Sequence, residues 1–161
     1  MTIDALQWLS SREAREGSYM FGVESFYDGP CAMDYDPWVH AEELGVPVVV
    51  NDRLPLHAKV AAYSRRRDAI FVRPNLTYAV ERCGVAHELV HREHGDVGTT
   101  SFQEDRADRT AARRLIRPRR LEALDRLTDD PAVVALELDV TERIMRFYMR
   151  MVRQGTVYAN A

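Results

Sequence analysis

The chain has 161 residues, 46% of them hydrophobic and 29% charged, with a formal net charge of −3. That is enough apolar material for one cored domain, with room for a small appendage, and the slight acidity argues against a general nucleic-acid coat or an anionic-membrane binder. Cys31 and Cys83 make no disulfide framework, Met1 to Gly17 mixes Asp, Glu and Arg with its apolar residues unlike a secretory signal, and no apolar run approaches the roughly 20 residues that span a bilayer, so a soluble, reduced, cytoplasmic protein is expected.

Ile3, Leu6 and Leu9 predict a short amphipathic helix to about Ala14, ended near Gly17. From Gly17 to Met33 the aromatics Tyr19, Phe21, Phe26 and Tyr27 and a Gly29-Pro30 break predict an irregular arm. Asp36-Pro37-Trp38 is a helix start, with Asp as N-cap and Pro in the first turn, and the helix is expected to run to Leu44 and stop at Gly45. Val46 to Val50 then reads as a buried strand. Lys59–Tyr63 and Ala69–Val72 flank the polar run Ser64-Arg65-Arg66-Arg67-Asp68, which predicts a hairpin. Asn75 and Thr77 offer caps for a long helix ending at Gly95, and Asp96 to Thr100 is a polar loop. A second helix is expected from about Ser101 to Ile116, closed by Pro118. Arg119 to about Arg153 reads as helical, broken at Asp129-Asp130-Pro131 and turning near Asp139.

The long helix carries Ala86-His87-Glu88-Leu89-Val90-His91. Residues four apart share a helix face, so two imidazoles can reach one metal ion, and Glu88 is placed to act on a metal-bound water. This is the H-E-x-x-H arrangement of zinc peptidases. Such a site needs a third protein ligand. His94 lies about 10.5 Å along the helix axis from His87, too far to share the ion on a straight helix. Cys83 has the same problem one turn upstream and fits a small buried residue. In Glu104-Asp105-Arg106-Ala107-Asp108 two carboxylates sit four apart on the next helix. Glu104 can be the third ligand, Asp108 can accept the other ring N–H of a ligating histidine, and Ala107, Ala111 and Ala112 permit close helix approach. The competing expectation is that Glu104 and Asp108 pair with Arg106, Arg109 or Arg113 on a solvated face. His40 and His57 are lone histidines, expected to be structural or on the surface.

These residues, with Glu104-x-x-Ala107-Asp108-x-x-Ala111-Ala112, resemble the ImmA/IrrE-type metallopeptidases. The upstream Pro37-Trp38-x-His40-Ala41 helix, strand and hairpin fit the same pattern, as does the downstream Ala135-x-Glu137-Leu138-x-Val140-Thr141; the likeness covers roughly Asp36 to Val152. It implies a gluzincin-like bacterial or phage protein with one zinc ion per chain held by His87, His91 and Glu104, and Glu88 as base. The expected fold is α+β: a zincin-like domain at 34–118 with a short antiparallel sheet of about three strands packed on the two motif helices. Residues 1–33 would form an N-terminal arm and 119–161 a C-terminal helical pair packed on the domain. Members of the family cleave transcriptional repressors and so switch mobile-element or stress-response genes.

In such a mechanism Glu88 takes the proton of the attacking water and later gives it to the leaving amine. A further oxyanion donor is needed, for which Tyr63 and His57 are candidates. Ala69, Ile70, Phe71 and Val72 are expected to form a sheet edge to which an extended peptide adds. The C-terminal segment has a helix-turn-helix form, with Thr141 as cap and Arg143, Arg146, Arg150 and Arg153 as basic residues. The alternative favoured here is a core stripe of Val140, Ile144, Tyr148, Met151 and Val152 docked on the zinc domain. The run Arg113, Arg114, Arg117, Arg119 and Arg120 reads as a solvated basic face. Two classes follow: a zinc endopeptidase acting on a regulator, or a metal-stabilised DNA- or protein-binding module without hydrolysis, such as one half of a toxin-antitoxin pair.

Overall fold

A computed structural model describes residues 34–54, 60–98, 100–125, 128 and 130–155. The expected N-terminal helix and aromatic arm, His57 and Lys59 lie outside the described residues. Within them the fold is α+β, with six helices and a three-stranded sheet. The order is α1 (Pro37–Glu43), β1 (Val48–Val50), β2 (Ala61–Ser64), β3 (Ala69–Val72), α2 (Tyr78–His94), α3 (Ser101–Leu115), α4 (Pro118–Asp125), α5 (Pro131–Glu137) and α6 (Glu142–Arg153). Among the described residues no helix is long and apolar enough to cross a membrane.

The local signals act where they stand. The Asp36 carboxylate accepts the amides of Trp38 and Val39, and Gly45 turns left-handed at φ 67° to end α1. Gly95, at φ 63°, ends α2 in the same way, while Thr77 occupies the N-cap position of that helix without a side-chain capping bond. Thr100 and Gln103 form a reciprocal capping box on α3. Pro118 does more than close α3: it is the first residue of α4.

Two expectations about the sheet are corrected. The sheet is mixed, not wholly antiparallel: β2 and β3 form the antiparallel hairpin, whereas β1 runs parallel to β3 in the register Val48↔Ile70. Nor is β1 a buried strand. It lies on an edge with Val49 40% and Val50 63% exposed, and the buried member of that run is Val46, in the lead-in to the strand. β-branched residues favour extended backbone but do not choose between centre and edge of a sheet.

Helix α2 sits between two hydrophobic clusters. Val85 and Leu89 pack on the sheet side with Ala41, Val46, Ile70 and Val72. Cys83 and Ala86 pack on the other side with Ala111, Ala112 and residues of α4 to α6. Val140, Ile144, Tyr148 and Met151 are buried in that second cluster, with Val152 half-buried against it, so the C-terminal helices share a core with the motif helices. Arg82 locks this arrangement. Only 4% exposed, it donates to the carbonyls of Leu138 and Asp139 at 3.1 Å and of Tyr35 at 2.9 Å. Two of those carbonyls lie at the C-terminal end of α5, where unpaired acceptors and the helix dipole both favour a cation.

Gly84 permits the close approach of β2. A Cβ there would meet Val60 Cγ1 at 2.7 Å and Ala61 Cβ at 3.4 Å. Gly84→Ala should therefore fail to deliver the gain of about 1 kcal/mol that alanine gives in a helix interior and should lower stability through overpacking, as read by urea denaturation. Arg82→Ala leaves three carbonyls unpaired and is expected to cost about 2–4 kcal/mol, measured in the same way.

Candidate metal centre

His87 and His91 stand one turn apart on α2, and Glu104 lies in the first turn of α3. The two helices approach through small side chains: Ala86 on α2 and Ala107, Ala111 and Ala112 on α3 are all fully buried. The Nε2 atoms of His87 and His91 are 3.1 Å apart. Glu104 Oε2 is 3.3 Å from His87 Nε2, and Glu104 Oε1 is 3.3 Å from His91 Nε2. Ligands about 2.0–2.1 Å from a tetrahedral ion lie about 3.3–3.4 Å from each other. Each Nε2 thus faces one oxygen of the same carboxylate at about that separation, and the three residues form a group able to hold a metal ion, with one ligand atom from each lying within 4.8 Å of the others.

The protonation pattern agrees. His87 Nδ1 is 3.0 Å from Asp108 Oδ1, and His91 Nδ1 is 2.8 Å from Asp96 Oδ2. An ionised carboxylate only accepts, so each Nδ1 donates to its carboxylate and each Nε2 is turned toward Glu104. Two Nε2 atoms and a carboxylate this close call for positive charge among them, from a proton or a metal ion. Four carboxylates gather here, from Glu88, Asp96, Glu104 and Asp108, against two guanidiniums, Arg106 on Asp96 and Arg143 on Asp108. The deficit is that of a divalent cation. Burial pushes the His87 pKa down, but the Asp108 hydrogen bond and the charges of Glu88, Asp108 and Glu104 outweigh it and leave the pKa raised: the site favours positive charge. At Asp96, burial is outweighed by the hydrogen bonds from Arg106 and His91, and its pKa is lowered to about 2.

Glu88 lies on the next stripe of α2, one turn beyond Gly84, on the side that faces β2. Its Oε2 accepts the Tyr63 backbone N–H at 2.8 Å. Tyr63 therefore enters the site through its amide and not through its phenol, as the oxyanion role required. The hydroxyl donates to Asp68 Oδ1 at 2.7 Å in the hairpin turn, and Asp68 also pairs with Arg92. The substrate strand is corrected as well. Ala69, Ile70, Phe71 and Val72 make β3, the central strand of the order β1-β3-β2, with Ile70 and Val72 fully buried, so it offers no edge. Among the described residues, the outer edge beside Glu88 belongs to β2. A hairpin sequence specifies two paired strands but not on which of them a third will add.

Among the described residues, the other two histidines, His40 and His94, stay apart from this group. His94 Nδ1 bonds the Val90 carbonyl of its own helix, and His40 lies between Tyr35 and Glu93. Cys83 is buried, as expected, and its Sγ accepts the Thr141 amide at 3.4 Å. Sequence reasoning missed two contributors. The sequence places Asp96 in a polar loop, and the signal for its role is its position directly after the Gly95 cap, which swings it back toward His91. Arg143 stands in sequence as one of several basic residues of α6, with no local signal of its partner Asp108. Of the basic run, Arg114 pairs with Glu93, and Arg117 and Arg120 pair with Asp34.

The purified protein is expected to hold about one divalent ion per chain, and Glu104→Ala to lose it, by elemental analysis after dialysis. Asp96→Asn should keep the site but weaken it about 10- to 100-fold in competition with a chromophoric chelator. Comparison with known protein families, with curated proteins and with solved structures found no match to this chain.

Proposed function

We propose that this protein is a zinc-dependent endopeptidase of the ImmA/IrrE type. The observation that carries the proposal is the grouping of His87 Nε2, His91 Nε2 and the Glu104 carboxylate, with a second acidic group, Glu88, held beside it instead of within it. Two imidazoles and one carboxylate suit zinc and leave a coordination position open. Zinc in that place would supply Lewis acidity, polarising a carbonyl and acidifying a water.

The rest is the work of the chain's own groups. Glu88 takes a proton from the attacking water and returns it to the departing amine. Asp96 and Asp108 hold the two imidazole rings in the tautomer that keeps Nε2 free for the ion. The substrate backbone adds to the outer edge of β2. Tyr63 already directs its N–H outward, and in an antiparallel strand Ala61 shares that side. A substrate carbonyl that accepts the Tyr63 N–H would release Glu88 from it, so occupation of the edge and freeing of the base go together. Phe102, 73% exposed two residues before Glu104, offers an apolar surface to a substrate side chain.

The likeness of the two motif helices to the ImmA/IrrE-type enzymes extends the proposal to the substrate: a transcriptional repressor or another regulatory protein of a mobile element or stress response. Under this proposal the protein works in the cytoplasm. The rival, a DNA- or protein-binding module without hydrolysis, draws less support, because Arg143 and Arg146 of α6 are engaged with Asp108 and Glu142.

Glu88→Gln separates the two. It is expected to reduce cleavage of a co-expressed repressor or a peptide library by about 100-fold or more while leaving metal content at the wild-type level. Full cleavage by that variant would overturn the peptidase assignment. So would an inert wild type whose salt-sensitive DNA binding is lost on reversing the charges of Arg143 and Arg146.

A further inference from the structure

Arg143 stands in the first turn of α6, where the positive end of the helix dipole disfavours a cation. Arg146 and Arg150 of the same helix turn to local partners, Glu142 and the ring of Phe147. Arg143 instead crosses to α3 and donates to Asp108 Oδ2, while Asp108 Oδ1 bonds His87 Nδ1. The two partners differ in setting: the Arg143 side chain is 69% exposed and that of Asp108 is 9% exposed. A nearly buried carboxylate with one oxygen on a ring N–H and the other on a guanidinium has little freedom to turn.

The start of α6 is itself pinned. Thr141 caps the helix by accepting the Ile144 amide, and its own N–H donates to Cys83 Sγ, one turn before His87 on α2. The backbone beside Arg143 is thus anchored to α2, and its side chain to α3. On the other side of the centre, Arg106 holds Asp96, which holds His91. Each histidine therefore has a carboxylate behind it and an arginine behind the carboxylate, but Arg106 comes from the ligand-bearing helix α3 whereas Arg143 comes from the C-terminal pair.

We propose that Arg143 is a positioning residue of the metal centre: it fixes Asp108, which fixes the His87 ring, and so makes metal affinity depend on the docking of α6. The inference rests on the metal site assigned above, but not on proteolysis. The C-terminal pair is then a structural part of the centre, and a partner that draws α6 away would loosen the ion.

The test uses the full chain and Zn²⁺ in competition with a chromophoric chelator at fixed pH, with Co²⁺ substitution to report ligand geometry in its visible absorption. Arg143→Gln is expected to weaken Zn²⁺ binding about 10-fold, the lower end for groups that support a ligand from outside the coordination shell, and to alter the Co²⁺ bands. Arg143→Lys, which keeps one charged donor, should recover part of the loss. Arg146→Gln, an exposed change on the same helix, should bind as wild type. In an Asp108→Asn background the Arg143→Gln effect should largely vanish, because the two residues act in series. Wild-type affinity in Arg143→Gln, or an undiminished effect in the Asp108→Asn background, overturns the proposal. A wild type that binds no Zn²⁺ overturns both this proposal and the metal site. Full cleavage by Glu88→Gln, with Zn²⁺ binding intact, removes the peptidase reading and leaves this one standing.

Discussion

The structure depends on the close packing of α2 against α3. Alanines at the contact bring the helix axes near enough for Glu104 to meet His87 and His91 within 3.3 Å. A larger residue at Ala107 or Ala111 would separate the ligand atoms before it did anything else, since cores adjust to added volume by moving backbone. The same packing places Asp108, one turn past Glu104, behind His87. One helix pair thus supplies all three candidate ligand residues and one of the two carboxylates that orient the rings.

The division of α2 into stripes explains how one helix serves several tasks. Val85 and Leu89 face the sheet and Cys83 and Ala86 face the helical cluster, leaving His87 and His91 toward α3. Glu88 occupies the stripe that looks on β2, which approaches closely because Gly84 has no side chain. The acid that is not a ligand is therefore held off by geometry: its carboxylate is drawn to a strand amide while the three candidate ligands meet without it.

Electrostatics sharpen this arrangement. Buried or half-buried carboxylates are costly unless paired, and this centre pairs Asp96 with Arg106 and Asp108 with Arg143. At Asp96 the hydrogen bonds from Arg106 and His91 outweigh burial and lower the pKa to about 2. Asp96 and Asp108 each hold one ring by its Nδ1, which leaves both Nε2 atoms facing Glu104.

Sequence alone determined what depends on local periodicity and capping. The helix at Pro37, the long helix closed by Gly95, the helix opened by Thr100, the hairpin and the break before Pro131 follow from short-range backbone preferences. The alignment of His87 with His91, the candidacy of Glu104 and Asp108, and the helix spacing set by Ala107, Ala111 and Ala112 follow from the 3.6-residue turn. Tertiary structure decided what depends on which elements become neighbours. It put β3 in the centre and β2 at the open edge, left Val49 and Val50 of β1 exposed, and turned the Tyr63 phenol to Asp68 while sending its amide to Glu88. It also recruited Asp96 from a loop and Arg143 from the C-terminal helix, because a carboxylate or guanidinium carries no local signal of the partner that folding will bring to it.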